Sequence, residues 1–112
     1  RTAVMNNQSD IQRLRSSADQ AHQLLKALAN RDRLLLLCQL VDGERNVGEL
    51  EELLGIVQPT LSQQLAVLRR EGLVDTRREG KLVYYRVASR EALAILHTLY
   101  GLYCAEETAD EH

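Results

Sequence analysis

What this chain has little of narrows its class before any motif is read. Among its 112 residues are two cysteines, one proline, and no tryptophan or phenylalanine. No run approaches the roughly 20 apolar residues that cross a bilayer, and the polar start from Arg1 to Asp10 has no signal-peptide core. A cytoplasmic protein without membrane contact is therefore expected. There is no glycine-rich phosphate loop, no carboxylate pair at useful spacing, and too little chain for a deep substrate cleft. An enzyme is disfavoured, although a cysteine with a histidine is a residue pair that nucleophilic catalysis can use. Zinc takes about four ligands in a tetrahedral set, which two distant cysteines and scattered histidines do not supply. No metal and no cofactor are expected. The length allows one domain with a modest core, which oligomerisation can extend.

A net positive charge is also missing. Fourteen Lys and Arg against sixteen Asp and Glu leave -2 at pH 7, which argues weakly against a polyanionic partner. The distribution argues for one. Between Gln58 and Val87, Arg69, Arg70, Arg77, Arg78, Lys81 and Arg86 face only Glu71, Asp75 and Glu79, while Glu106, Glu107, Asp110 and Glu111 make a purely acidic tail. Charges more than about 10 Å apart are largely screened, so a local basic face outweighs the net sum.

The most informative stretch is Gln58-Pro59-Thr60-Leu61-Ser62-Gln63-Gln64-Leu65-Ala66-Val67-Leu68-Arg69-Arg70-Glu71-Gly72. Leu61, Leu65 and Leu68 recur at helical spacing on one stripe, and Thr60, Ser62, Gln63 and Gln64 are expected to point outward. Amides and hydroxyls at that position match the donor and acceptor code of the DNA major groove, where an ordinary solvated face more often carries Lys and Glu. Pro59 suits the first turn and Gly72 the stop. Before it, Val47 to Leu54 reads as a short amphipathic helix with Asn46 as its N-cap, and Gly55-Ile56-Val57 makes the corner. A packed helical hairpin is the competing reading of this pair.

The next residues separate the two readings. Leu73 to Arg78 and Lys81 to Val87 are β-branched and alternating runs joined by Glu79-Gly80, the pattern of a two-stranded wing. Arg77, Arg78 and Lys81 near its tip, with Arg86 further along, are candidate phosphate or minor-groove contacts. Taken singly, each is equally a solvated surface charge.

Upstream, Ile11 to Ala29 is expected to be a helix with Ile11, Leu14, Ala18, Ala21, Leu25 and Leu28 on its apolar side. Arg31 to Val41 follows, apolar nearly all round and so central to the core. Downstream, Ser89 caps a last helix bearing Ala92, Leu93, Leu96, Leu99, Tyr100 and Tyr103. The fold expected is mainly α with a small β-hairpin: a winged helix-turn-helix of order α1-α2-α3-α4-β-β-α5. The expected division is a flexible N-terminus over 1-10, a DNA-binding and dimerisation domain over 11-106, and the acidic tail over 107-112. The first and last helices carry more apolar surface than such a domain covers alone, which predicts a homodimer through them. Two-fold symmetry would set two reading helices about 34 Å apart on an inverted-repeat operator in double-stranded DNA.

These residues resemble the ArsR/SmtB family of bacterial winged-helix repressors. Ala27-Leu28-Ala29-Asn30-Arg31-Asp32-Arg33-Leu34 is similar to that family's LADPTRL segment, and Gln58 to Leu68 to its SQHLKVL region. Gly72-Leu73-Val74, Arg77-Arg78-Glu79-Gly80-Lys81 and Tyr84-Tyr85-Arg86 resemble its wing. The likeness spans residues 18 to 104. The family's thiolate metal motif falls here on Asn46-Val47-Gly48, and its last-helix zinc pattern is not met by Ser89 to His112, where His97 is isolated. His22 and His97 are accordingly expected on the surface or in packing.

A narrower subgroup, the BigR/SqrR-type repressors, carries one cysteine in the second helix and one in the last, and Cys38 and Cys104 match those positions. The resemblance implies that reactive sulfur species, persulfide or polysulfide, join the two sulfurs and release the DNA. Cys38 alone, in the most apolar helix, reads as a packing residue, whereas Cys104 near the polar C-terminal end does not. Chemically, one thiolate attacks a persulfide sulfur and a second resolves the adduct, provided the fold brings together cysteines 66 positions apart. A general thiol-oxidation or metal effector for the same repressor stays open, as does a winged-helix protein-interaction module. The residue set that follows is Gln58, Thr60, Ser62, Gln63, Gln64, Arg69, Arg77, Arg78, Lys81 and Arg86 for DNA, and Cys38 with Cys104 for redox sensing.

Overall fold

A computed structural model describes residues 8-104. Five helices and three strands run in the order α1 (Gln8–Leu28), α2 (Arg31–Val41), β1 (Arg45–Asn46), α3 (Val47–Leu54), α4 (Thr60–Arg70), β2 (Val74–Glu79), β3 (Leu82–Val87) and α5 (Arg90–Tyr103). This is the helix-turn-helix and wing that the sequence predicts, with three differences that have local causes.

First, α1 begins at Gln8, so residues 8-10, expected to be poorly ordered, are helical. Asp10 lies in the first turn, where the helix dipole favours a carboxylate, and Arg13 pairs with it at 3.3 Å. The expected flexible stretch otherwise lies outside the described residues, as does the acidic tail. Second, the connection before α3 contains a strand. Arg45 pairs with Tyr85 and Asn46 with Tyr84, giving a three-stranded antiparallel sheet of order β1-β3-β2. Two residues carry no periodicity, so no sequence pattern announces β1. Third, the wing turns at Gly80-Lys81 rather than Glu79-Gly80, because Glu79 still pairs with Leu82. Gly80 takes φ +65, a left-handed conformation that a two-residue hairpin loop requires and that glycine adopts without a Cβ penalty. Lys81 therefore stands in the loop, not on a strand.

The helix ends follow from side chains. Asn30 Oδ1 accepts from the Arg33 N–H at 3.0 Å, and Ser89 Oγ accepts from the Ala92 N–H at 3.0 Å. Asn46 builds a full capping box: its Oδ1 accepts from the Glu49 N–H at 2.9 Å while Glu49 Oε1 accepts from the Asn46 N–H at 2.9 Å. Gly55 closes α3 with φ 71. Pro59, expected in the first turn of the reading helix, stands one place earlier and supplies no side-chain cap. Gln58 does so instead, its Oε1 accepting from the Ser62 N–H at 3.0 Å.

The core is a leucine cluster. Leu36, Leu37 and Leu40 of α2 meet Leu50 of α3, Leu61, Leu65 and Leu68 of α4, Val74 of β2, and Ala92 and Leu96 of α5, and no buried residue among those described is polar or charged. Full burial of one such side chain is worth about 1.5–3 kcal/mol, so this cluster fixes where α4 sits. The stripe on α1 is different. Leu28 is buried, but Leu14 is 49% and Leu25 54% exposed, and Ala18 and Ala21 are exposed. On α5, Tyr100, Leu102 and Tyr103 are exposed as well. The radius of gyration is 17.2 Å, against about 13 Å for a compact domain of 100 residues. The first and last helices extend beyond the body they are attached to.

Asn46→Ala removes one half of the capping box and should cost about 1 kcal/mol. At fixed protein concentration that is a fall in melting temperature of about 4–8 °C, and a shift below about 1 °C would show that the box does not hold α3.

Candidate nucleic-acid interface and thiol cleft

Because Leu61, Leu65 and Leu68 face the core, Ser62, Gln63, Ala66, Arg69 and Arg70 are the exposed side chains of α4, with Gln58 exposed just before it. Thr60 is half-buried in the first turn. Gln58 keeps its amide donors free for a partner while its oxygen caps the helix. Gln64 departs from the outward position expected of it. It is half-buried on the flank of the leucine stripe, and its Oε1 accepts from Arg33 Nη1 at 2.8 Å. Periodicity places a residue on a face; it does not reveal that a guanidinium from another helix waits there.

The wing's basic residues do not form the single cluster the sequence suggests. Strand register puts Asp75, Arg77 and Glu79 on one face with Arg86, Tyr84 and Leu82, and Val74, Thr76 and Arg78 on the other with Val87, Tyr85 and Val83. Val74 is buried, so its face is the core side, although Arg78 at the other end of the strand is exposed. On the solvent side, opposite charges meet across the strands and neutralise each other. Arg77 reaches Glu44 at 2.8 Å and Glu79 at 3.0 Å and lies 4.7 Å over the Tyr84 ring; Arg86 approaches Asp75 at 3.8 Å. Arg70 lies 3.7 Å from Glu71. Among the described residues no ion pair involves Arg69, Arg78 or Lys81. Those three carry no carboxylate partner, whereas Arg77 is held by two.

The two cysteines come together. Cys38 on α2 and Cys104 at the end of α5 line one cleft of about 480 Å³ with Val41, Asp42, Leu96, His97 and Tyr100. Both thiols are free and exposed. Cys38 is thus not the packing residue its apolar helix suggests: Leu36, Leu37 and Leu40 take the core side of α2, and Cys38 falls on the other. Burial in the cleft pushes the Cys38 thiol up from its ordinary value, and the negative charge of Cys104 pushes it further. A thiolate formed at a raised pKa is scarcer at neutral pH but intrinsically more nucleophilic. Asp42, His97 and Tyr100 belong to this cleft, although no spacing signal associated any of them with the cysteines. Among the described residues no three His, Cys, Asp or Glu side chains stand close enough together to hold a metal ion, and no helix is long and apolar enough to cross a membrane.

Comparison with known proteins identifies relatives in sequence and in fold. Residues 30–76 match the family described as "Bacterial regulatory protein, arsR family". The biofilm growth-associated repressor of Agrobacterium fabrum is 56% identical over 84 residues, covering 75% of this chain and 72% of that protein. The crystal structure of the transcriptional repressor BigR from Xylella fastidiosa superposes with a TM-score of 0.78 at 46% identity, covering 83% of this chain and 95% of that one. Reduced HlyU from Vibrio cholerae gives a TM-score of 0.80 at 47% identity over 83% of this chain and 98% of that one.

The charge coupling in the cleft has a direct readout. Alkylation of Cys38 should reach half-maximal rate at a pH above that of an unhindered thiol, and Cys104→Ser should move that midpoint down without restoring it fully. An unchanged midpoint would show that the two sulfurs do not sense each other.

Proposed function

The chain belongs to the ArsR family of bacterial regulatory proteins, and from that premise we propose that it is a cytoplasmic transcriptional repressor. It binds an inverted-repeat operator as a homodimer and lets go when reactive sulfur species link Cys38 to Cys104. The observation that carries the effector half of this reading is the single cleft that Cys38 and Cys104 share between α2 and α5.

The DNA half is supported by the exposed amide and hydroxyl groups of Gln58, Ser62 and Gln63 at the start of α4, and by Arg69, Arg78 and Lys81, which have no ion-pair partner among the described residues. Amides and hydroxyls there suit base edges; the cations suit phosphates. Dimerisation is supported by the uncovered Leu14 and Leu25 on α1 and Tyr100, Leu102 and Tyr103 on α5, apolar area that a second copy can bury. That reading gives the exposed tyrosines a role as interface residues.

The switch chemistry balances. The Cys38 thiolate attacks the outer sulfur of a persulfide RSSH; RS⁻ leaves and Cys38 carries the persulfide. The Cys104 thiolate then attacks the inner sulfur, hydrosulfide leaves, and a disulfide remains, or a longer chain where a polysulfide supplied extra sulfurs. The two thiols lose two electrons and the transferred sulfur gains them. A covalent link of this kind ties α5, a helix of the proposed interface, to α2, which packs against the reading helix. Two packings of that joint can bind DNA differently.

Three measurements follow. Operator binding should weaken steeply as salt rises, and Arg78→Ala or Lys81→Ala should each flatten the log–log slope by about 1 while leaving base preference intact; salt-insensitive or absent duplex binding would remove the DNA reading. Gln63→Ala should lose roughly 1–3 kcal/mol at one base position. Cys38→Ser should bind operator normally but stay bound under persulfide, and a mutant still released would refute the two-thiol switch.

A further inference from the structure

Arg33 ties α1 to α4 through three side-chain hydrogen bonds, alongside one longer bond of 3.3 Å that Gln23 Nε2 of α1 donates to Glu71 Oε1 at the C-cap of α4. It is the third residue of α2, held at its own backbone by Asn30 Oδ1. Its side chain donates from Nε to the Ala27 carbonyl at 2.6 Å, from Nη2 to the Lys26 carbonyl at 3.3 Å, and from Nη1 to Gln64 Oε1 at 2.8 Å. Lys26 and Ala27 are in the last turn of α1, where the regular ladder runs out and the helix dipole favours a cation; the Lys26 carbonyl also accepts from the Ala29 N–H at 3.3 Å. One planar guanidinium therefore fastens the end of α1 to the side of α4. An ammonium is a point charge and cannot span that fork.

The same contact defines what Gln64 can do. With one lone pair of its oxygen held by a guanidinium from another helix, Gln64 is turned away from the orientation in which an amide offers adenine a paired donor and acceptor. It is also half-buried, unlike Ser62 and Gln63.

We propose that Arg33 is a positioning residue for operator recognition: it indexes α4 against α1, with Gln64 as its anchor on the reading helix and not a base reader. The inference rests on the homodimeric DNA reading above. If α1 contributes to the dimer interface, its angle to α4 sets the separation of the two reading helices. Adding or removing one base pair moves a half-site by about 3.4 Å and rotates it by about 35°, so a stiff α1–α4 joint makes the protein selective for one spacing.

The test uses an operator selected from a random duplex pool, together with versions whose half-sites are one base pair closer or further apart and versions with single base changes. Wild-type protein should lose about tenfold or more in affinity on the altered spacings, while Arg33→Lys, Gln64→Leu and the double variant should all lose about threefold or less. Base preference within a half-site should be the same in all four proteins. Protein that fails to fold lowers apparent affinity for every duplex alike, so the ratio between spacings reports positioning even if the variants are less stable. Spacing selectivity retained in Arg33→Lys would show that charge alone is needed and overturn the proposal. A base preference altered at one position by Gln64→Leu would make Gln64 a base reader and overturn it too. Wild-type protein that binds no duplex at all would instead overturn the DNA reading, and this inference with it.

Discussion

The burial of one stripe of leucines on α4 is the constraint on which the rest depends. Leu61, Leu65 and Leu68 are fully buried against Leu36, Leu37, Leu40 and Leu50, and no polar or charged residue among those described is buried with them. A core of this kind is non-directional and holds position only by packing, yet it orients α4 completely, because 3.6-residue periodicity then decides which side chains remain outside. Ser62, Gln63, Arg69 and Arg70 are exposed as a consequence of where the leucines go. Directional contacts are left to the periphery: the Asn46–Glu49 capping box, the Gln58 cap on Ser62, and the Arg33 fork.

The second feature is a body too small for its helices. The chain has little aromatic mass, 4% of residues, and its core is drawn from mid-chain leucines. The 21-residue α1, roughly 31 Å long at 1.5 Å per residue, packs chiefly by its last turns, through Leu24, Ala27 and Leu28. The end of α5 is likewise uncovered, and that end carries Cys104. A thiol placed where a terminal helix leaves the body is well situated to report on, or alter, how that helix is held. The Asp42 that lines the cleft is two residues from Glu44, which holds Arg77 of the wing, so cleft and wing are connected through a short stretch of backbone.

Much of this is legible in the sequence. Leucine spacing marks α2, α4 and α5; Asn30, Asn46 and Ser89 mark helix starts; and β-branched alternation on either side of Gly80 marks the wing. These are signals between neighbours, where the geometry of a helix or hairpin is the same in every protein. What the sequence obscures is partnership. The six basic residues of the recognition region look like one patch, but Arg70, Arg77 and Arg86 lie beside Glu71, Glu44 with Glu79, and Asp75. Gln64 looks like its neighbour Gln63 and is instead held by Arg33. The two-residue β1 is too short for any period to show.

The sequence by itself determined the order of the five helices and of the two wing strands, the buried stripe of α4, and the family to which such a pattern is similar. All of these rest on interactions within a few residues. Only the tertiary structure decided that Cys38 faces away from the core and into the cleft of Cys104, that Arg33 reaches Gln64, and that Glu44 reaches Arg77. Those pairs are separated by 66, 31 and 33 positions. Contacts at such separation depend on how whole elements pack, and packing is set by the sum of many leucine contacts that no local pattern records.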